Sequence, residues 1–400
     1  MLFSNSRIKH AVAAVMLVLL AGCASTPERN PPPENLVNSA SIPWVPDARE
    51  WADDDVFAGE FEEWLNLPKE TIEEQFPDTF GKEHTYLALS GGGQNGAFGA
   101  GLLYGWTESG TRPEFTLVTG VSTGAIIAPF AYLGPEFDWA LKEIYTGQQA
   151  ENLLRSRGLL KTLFGESASD SEYMREKIVE FIDQSVMEAI AQEYLRGRSL
   201  NVVTTNLDAG RPVSWDIGAI AASGHPDALE LIQDAILASA SIPGIFPPVM
   251  FDVEADGETY EEMHVDGGAT SIVHLYPIGL DFDAVLRKLE VPEKPELYIV
   301  RNGNLRPSWE PVQRSTIPIA LRSVESLMRG VVQGDIYRIY LASQRDGIDF
   351  NLAYIPDDFS AVSESTFDSA YMQELFQLGR KLGAEGYDWQ KQPPGVNTGK

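Results

Sequence analysis

Phe115-Thr116-Leu117-Val118-Thr119 runs into Gly120-Val121-Ser122-Thr123-Gly124 and then into Ala125-Ile126-Ile127-Ala128. The first piece is short, apolar and β-branched, as a buried strand is, and the last reads as a helix start. Between them a serine sits in a G-x-S-x-G pattern. A sharp strand-to-helix turn at that point would lift the Ser122 hydroxyl clear of the backbone. Gly120 and Gly124 permit such a turn because a Cβ would collide with neighbouring chain. The helix N-terminus behind the serine also favours negative charge developing there. The pattern alone is weak in a chain of 400 residues with 35 glycines; its setting between strand and helix is what gives it weight.

Upstream, Tyr86-Leu87-Ala88-Leu89 leads into Ser90-Gly91-Gly92-Gly93-Gln94-Asn95-Gly96, again with a strand before and a helix after. Such a turn exposes backbone N–H groups that can hold an oxyanion. Gly91, Gly93 and Gly96 also fit the dinucleotide-binding spacing. However, no acidic residue ends a second strand about 20 residues on, and no Lys-Ser or Lys-Thr pair follows as a P-loop needs. Downstream, Leu200-Asn201-Val202-Val203-Thr204-Thr205 and Leu297-Tyr298-Ile299-Val300 are further short buried runs. Residues 171–195, 227–241 and 317–343 carry helical spacing, as do Phe367, Tyr371, Leu375 and Leu382 near the C-terminus. Strands alternating with helices predict an α/β domain with a mostly parallel, buried central sheet flanked by helices.

Composition bounds the function. The chain has 58 acidic and 30 basic residues and a formal charge of −28, with 44% apolar and 22% charged residues. That is a globular composition, and its charge opposes nucleic-acid binding. The single cysteine, Cys23, excludes an internal disulfide and any multi-cysteine metal site. No metal cluster is evident, and catalysis without a cofactor is expected.

Two further segments complete the pattern. Ala238-Ser239-Ala240-Ser241-Ile242-Pro243 reads as a helix stopped by proline, and His264-Val265-Asp266-Gly267-Gly268 carries Asp266 into a glycine turn. Neither piece declares a chemistry by itself. In this order, the four pieces resemble the patatin-like phospholipases over roughly residues 86–280. The resemblance implies a three-layer patatin-like sandwich and a serine lipid acyl hydrolase. It also implies that Gly91, Gly92, Gly93, Gln94, Asn95 and Gly96 form the oxyanion loop. Ser122 would be the nucleophile in the elbow of Gly120 and Gly124. Asp266, in the motif with Gly267 and Gly268, would complete a Ser–Asp dyad. Asn95 departs from the family, which usually has Arg or Lys there. The neutral side chain leaves the backbone donors in place but removes a charge, so a preference for phosphate-bearing substrates does not follow from this loop.

Two rival readings remain at this level. A Ser-His-Asp esterase of the α/β-hydrolase type would use His264 or His274, and a non-catalytic envelope lipoprotein would use the cleft to bind lipid. Ile245, Phe246, Val249, Met250 and Phe251 could line an acyl channel, with core packing an equal explanation.

At the N-terminus, Arg7 and Lys9 precede an uncharged apolar run over residues 11–21 that ends in Leu20-Ala21-Gly22-Cys23. A basic start and an apolar stretch too short to span a bilayer read as a secretory signal. The ending resembles the lipobox of bacterial lipoproteins, which implies cleavage before Cys23 and acylation of its thiol. With Ala24 next, an outer-membrane location in the cell envelope is expected, the chain being anchored to the membrane by lipid. The domain organisation predicted is a leader (1–22), a lipidated cysteine with a Pro-rich linker (23–50) and an acidic aromatic segment (51–83). A catalytic core (84–280) and C-terminal strand and helices completing the same domain (281–400) follow. The expected substrate is a membrane lipid or other acyl ester.

Overall fold

The computed structural model describes residues 29–53, 58–147, 155–156, 169–306, 309, 311–365 and 367–396. The leader, Cys23 and Phe57 lie outside them. Among the described residues, nine strands form one sheet: β1 (Arg49–Trp51), β2 (Thr85–Leu89), β3 (Leu117–Val121), β4 (Ser199–Asn206), β5 (Arg211–Asp216), β6 (Val249–Ala255), β7 (Glu258–Asp266), β8 (Glu296–Arg301) and β9 (Asp349–Tyr354). The sheet runs β1-β5-β4-β3-β2-β8-β9, and the five strands from β4 to β9 in that order are parallel. β1 and β5 continue it antiparallel, while β7 pairs antiparallel with both β4 and β6. The predicted α/β class with a mostly parallel sheet flanked by helices is what the chain adopts.

Alternation along the parallel strands divides the core. Leu87 and Leu89 of β2 face one apolar cluster and Tyr86 and Ala88 face another, because successive strand residues point to opposite sides. The first cluster is covered by α3 (Gly96–Glu108), α4 (Thr123–Leu133), α9 (Ala228–Ser239) and α12 (Ser369–Glu385). The second is covered by α10 (Phe282–Lys288) and the C-terminal half of α11 (Thr316–Arg345). α12 packs on α3 with backbones nearly touching. A Cβ at Gly101 or Gly105 would come within 2.1 or 1.9 Å of a carbonyl oxygen of α12, at Phe376 and Arg380 respectively.

The remaining helices are α1 (Ala58–Leu65), α2 (Lys69–Gln75), α5 (Asp138–Thr146), α6 (Glu172–Phe181), α7 (Gln184–Leu195) and α8 (Ile217–Ala222). The helical spacing over 171–195 is therefore divided between two helices. Asp183 starts the second by accepting the Val186 amide, an ordinary N-cap.

Residues 29–48 differ from the extended linker that their prolines suggested. Ala40, Ile42 and Ala48 are buried, and Ser41 bridges to Glu254 of β6. Arg29 pairs with Asp208 at 2.6 Å, and Arg49 is buried against Glu262 at 3.1 Å. Proline disfavours regular helix but suits turns, and this segment folds through turns at 34–39 and a 3₁₀ turn at Pro46–Ala48 onto β6, so composition alone misread it. No helix among the described residues is long and apolar enough to cross a membrane.

Candidate active site

β4 is the ruler that brings the site together. Its Val203 pairs with Val121, the last residue of β3, and its next residue, Thr204, pairs with Asp266, the last residue of β7. β7 thus takes up the pairing where β3 leaves it, so Ser122 and Asp266, 144 positions apart in sequence, become neighbours at the carboxyl ends of the strands. The Ser122 hydroxyl donates to Asp266 Oδ2 at 2.6 Å. Both residues are buried, at 6% and 3% exposure, so the bond is shielded from bulk water.

Ser122 has φ 55° and ψ −123°, a left-handed backbone that an L-residue adopts only under constraint. The turn is close-packed on both sides: a Cβ at Gly120 would lie 2.4 Å from the Gly124 carbonyl, and one at Gly124 2.3 Å from that of Leu89. The elbow is latched by a residue that sequence reading left without a role. Ser239, at the end of α9, accepts the Ser122 amide at 2.9 Å and donates to the Val203 carbonyl at 2.6 Å. Two residues on, the Ser241 carbonyl accepts the Asp266 amide at 2.9 Å. The Ala238–Pro243 stretch therefore holds both members of the pair, and it does so through tertiary contacts that local patterning cannot reveal. Ser239→Ala would strand a buried amide and a buried carbonyl; unfolding stability should fall by about 1–3 kcal/mol, checked by denaturant titration, and esterase kcat should fall with it.

Asp266 is fixed from its other oxygen, Oδ1, which accepts the Gly268 amide at 2.7 Å. Burial pushes its carboxyl up to about 6, against the opposing pull of the hydrogen bonds from Ser122 and Gly268. A carboxylate in that range is a better proton acceptor near neutrality than an ordinary aspartate.

The glycine loop supplies fewer donors than its six residues suggest. Gly91 donates its amide to the Ile272 carbonyl at 2.9 Å, Asn95 to Gly92, and Gly96 to carbonyls inside its own turn. Gly92 and Gly93 make no such bond to the described residues, and both line a cavity with Ser122. Asn302, just past β8, holds the loop: its amide donates to Ser90 Oγ at 2.9 Å and its side-chain Nδ2 to the Ser90 carbonyl at 2.8 Å, while its Oδ1 accepts the Gly99 amide. A Cβ at Gly92 would sit 2.0 Å from the Asn302 carbonyl oxygen. Gly92→Ala must therefore displace the loop or the end of β8, and should reduce kcat by about 10²–10³-fold, the loss expected for one oxyanion donor. At Gly93 a Cβ meets nothing within 4 Å but φ is +56°, so Gly93→Ala carries backbone strain of about 1–2 kcal/mol without a clash. Steady-state ester hydrolysis by the pair separates clash from strain.

Two cavities meet at Ser122, Gly93 and Ile242. One, about 460 Å³, is apolar and runs between α4, α6 and α9 past Ile126, Phe130, Met174, Ile178 and Ile236. The other, about 760 Å³, is the more polar of the two and opens past Asp266, Arg301 and Arg329. The sequence candidates for an acyl channel, Ile245, Phe246, Val249, Met250 and Phe251, line neither cavity; Phe246, Val249 and Phe251 are buried core residues. Their hydrophobicity serves packing around β6, where Phe251 lies against Trp215 and His264.

The histidines are engaged elsewhere. His264 has one ring nitrogen 2.8 Å from Thr204 Oγ1 and the other 3.1 Å from Glu262, and burial lowers its pKa. His274, also buried, is pushed down to about 4. The partner of the Ser122 hydroxyl is a carboxylate, not an imidazole. Among the described residues, no three metal-ligating side chains converge.

The sequence profile of the patatin-like phospholipases matches residues 87–276, which contain Ser122, Asp266 and the glycine loop. No curated protein matches the chain. Among solved structures, that of VipD from Legionella pneumophila is similar at 14% identity and a TM-score of 0.39, over 76% of this chain and 67% of VipD.

Proposed function

Since residues 87–276 form a patatin-like phospholipase domain, we propose that the chain is a serine lipid acyl hydrolase working through Ser122 and Asp266 alone. The observation that carries this reading is the 2.6 Å bond between the two side chains at the junction of an apolar and a polar cavity. An amphiphilic ester fits that junction with its tail on one side and its alcohol portion on the other.

In the first half-reaction Ser122 Oγ attacks the carbonyl carbon while its proton passes to Asp266 Oδ2. The tetrahedral oxyanion is held by the Gly92 and Gly93 amides, with the N-terminus of α4 behind them. Collapse expels the alcohol, which takes the proton back from Asp266 and leaves an acyl-Ser122 ester. Water then attacks that ester, Asp266 again accepting a proton, and the fatty acid departs as Ser122 is restored. A carboxylate with a pKa of about 6 remains a weak base for a hydroxyl. Each oxyanion donor, at about 3–4 kcal/mol, therefore carries a large part of the acceleration.

The leader and Cys23 support a lipid-anchored envelope location, with acyl chains rather than charge holding so acidic a protein to a bilayer. The reading is tested by incubating the purified chain with phosphatidylcholine vesicles and with a chromogenic acyl ester. Fatty-acid release that a fluorophosphonate abolishes is the expected result. Inertness toward both substrates and toward the probe would leave a lipid-binding protein instead.

A further inference from the structure

Five charged side chains besides Asp266 line the polar cavity: Arg301, Arg306, Arg329, Glu325 and Asp357. Four of them pair with one another, Arg329 with Glu325 at 2.9 Å and Arg306 with Asp357 at 3.1 Å; Glu325 also takes Arg322. Arg301 has no carboxylate partner among the described residues. It is the last residue of β8, and its Nη1 donates to the Gly91 carbonyl at 2.6 Å and to Ser90 Oγ at 3.3 Å. Its Nε is buried with no hydrogen-bond partner. Burial, and the field of Arg329, lower its pKa to about 10, so it remains charged at neutral pH while lacking a counter-ion. A half-buried cation in that condition is costly unless something anionic joins it.

The glycine loop itself supplies no positive charge. Its position 95 is neutral, and the Asn95 side-chain oxygen is occupied by the Tyr371 hydroxyl at 2.8 Å. Arg301 approaches the same loop from β8 instead.

We propose that Arg301, with Arg329 beside it, forms a subsite for a phosphate group on the alcohol side of the scissile ester. A guanidinium with an unpartnered donor suits a tetrahedral oxyanion, and an anion shared by two arginines relieves their mutual repulsion. The inference rests on the acyl-hydrolase reading and names the head-group class it selects. Arg301 is then a specificity residue that stands in for the missing basic residue of the loop.

The test compares lysophosphatidylcholine with a monoacylglycerol of the same acyl chain in mixed micelles, for the native chain, Arg301→Gln, Arg301→Lys and Arg329→Gln. The ratio of kcat/KM for the phospholipid over the neutral ester should fall at least tenfold in Arg301→Gln, mainly through KM. Arg301→Lys should restore part of the ratio. Arg329→Gln, which makes no hydrogen bond to the glycine loop, should lower the ratio in the same direction. An unchanged ratio in both glutamine variants, with both substrates losing activity together, would reduce Arg301 to a loop support and overturn the proposal. Inorganic phosphate that inhibits monoacylglycerol hydrolysis in the native chain but not in Arg301→Gln, alongside an unchanged lipid ratio, would mean a site for free phosphate and would overturn the head-group assignment. Should the native chain hydrolyse neither ester, calorimetry of glycerophosphocholine binding to the native chain and to Arg301→Gln still decides the subsite: binding lost in the variant supports it, and absence of binding to the native chain rejects it.

Discussion

Ser122→Ala is expected to lower kcat for ester hydrolysis by about 10⁴–10⁶-fold while the protein stays folded. The magnitude follows from what the hydroxyl does. Without Oγ no acyl-enzyme forms, and the oxyanion donors at Gly92 and Gly93 can assist only direct attack by water. The structural cost is small, because the Ser122 side chain makes its hydrogen bond to Asp266 alone among the described residues. Losing one such bond to a buried carboxylate costs about 1–3 kcal/mol. The strained backbone at φ 55° and its latch through Ser239 involve main-chain atoms of residue 122, which alanine retains. Thermal unfolding near that of the native chain, with turnover close to background, is the pattern to look for. Undiminished hydrolysis would remove Ser122 from the mechanism.

Asp266→Asn should lower kcat/KM by about 10²–10⁴-fold and raise stability at neutral pH at the same time. The amide oxygen can still accept the Gly268 amide, but the amide nitrogen faces Ser122 Oγ as a donor, so the hydroxyl loses its proton acceptor. The stability gain has a definite direction. Burial raises the Asp266 pKa from 3.8 to about 6, so the folded state holds this proton more tightly than the unfolded chain does. Its contribution to stability is complete below about pH 4 and is lost as pH rises through 6. A shift of two units corresponds to about 2–3 kcal/mol of destabilisation at pH 7–8, which asparagine does not carry. Melting temperatures measured from pH 4 to pH 8 should therefore diverge, the variant becoming the more stable protein above pH 6. An asparagine variant that is both inactive and less stable at pH 8 would mean that Asp266 serves packing more than proton transfer.

Much of this arrangement could be read from sequence because its demands are local. A nucleophile on a sharp turn needs small residues where Gly120 and Gly124 stand, and a loop pressed against a neighbouring strand needs glycine where Gly92 stands. The four parallel strands read from sequence are largely buried on both faces and so read as short apolar and β-branched runs rather than alternating ones. What escaped notice depends on distant contacts. Glu258, Glu261 and Glu262 place acidic residues on both faces of β7, Glu262 being buried against Arg49, so an antiparallel ribbon ending in Asp266 looked like a turn alone. The role of Ser239 exists only because α9 ends beside Ser122, and that of Arg301 only because β8 pairs with β2. The acyl-channel guess around residues 245–251 failed for the same reason. A hydrophobic run does not state which surface it faces, and the apolar cavity is built mainly by helices α4, α5 and α6.

The most direct test is the pH dependence of fluorophosphonate labelling, followed by mass spectrometry of the modified peptide. Between pH 5 and pH 8, the inactivation rate of the native chain should rise with an apparent pKa of about 6, with the adduct on Ser122. In Asp266→Asn the rate should drop at least about 100-fold, without a transition in that range. Labelling of the asparagine variant at the native rate, or an adduct on any other residue, would contradict a mechanism in which these two side chains act as a pair.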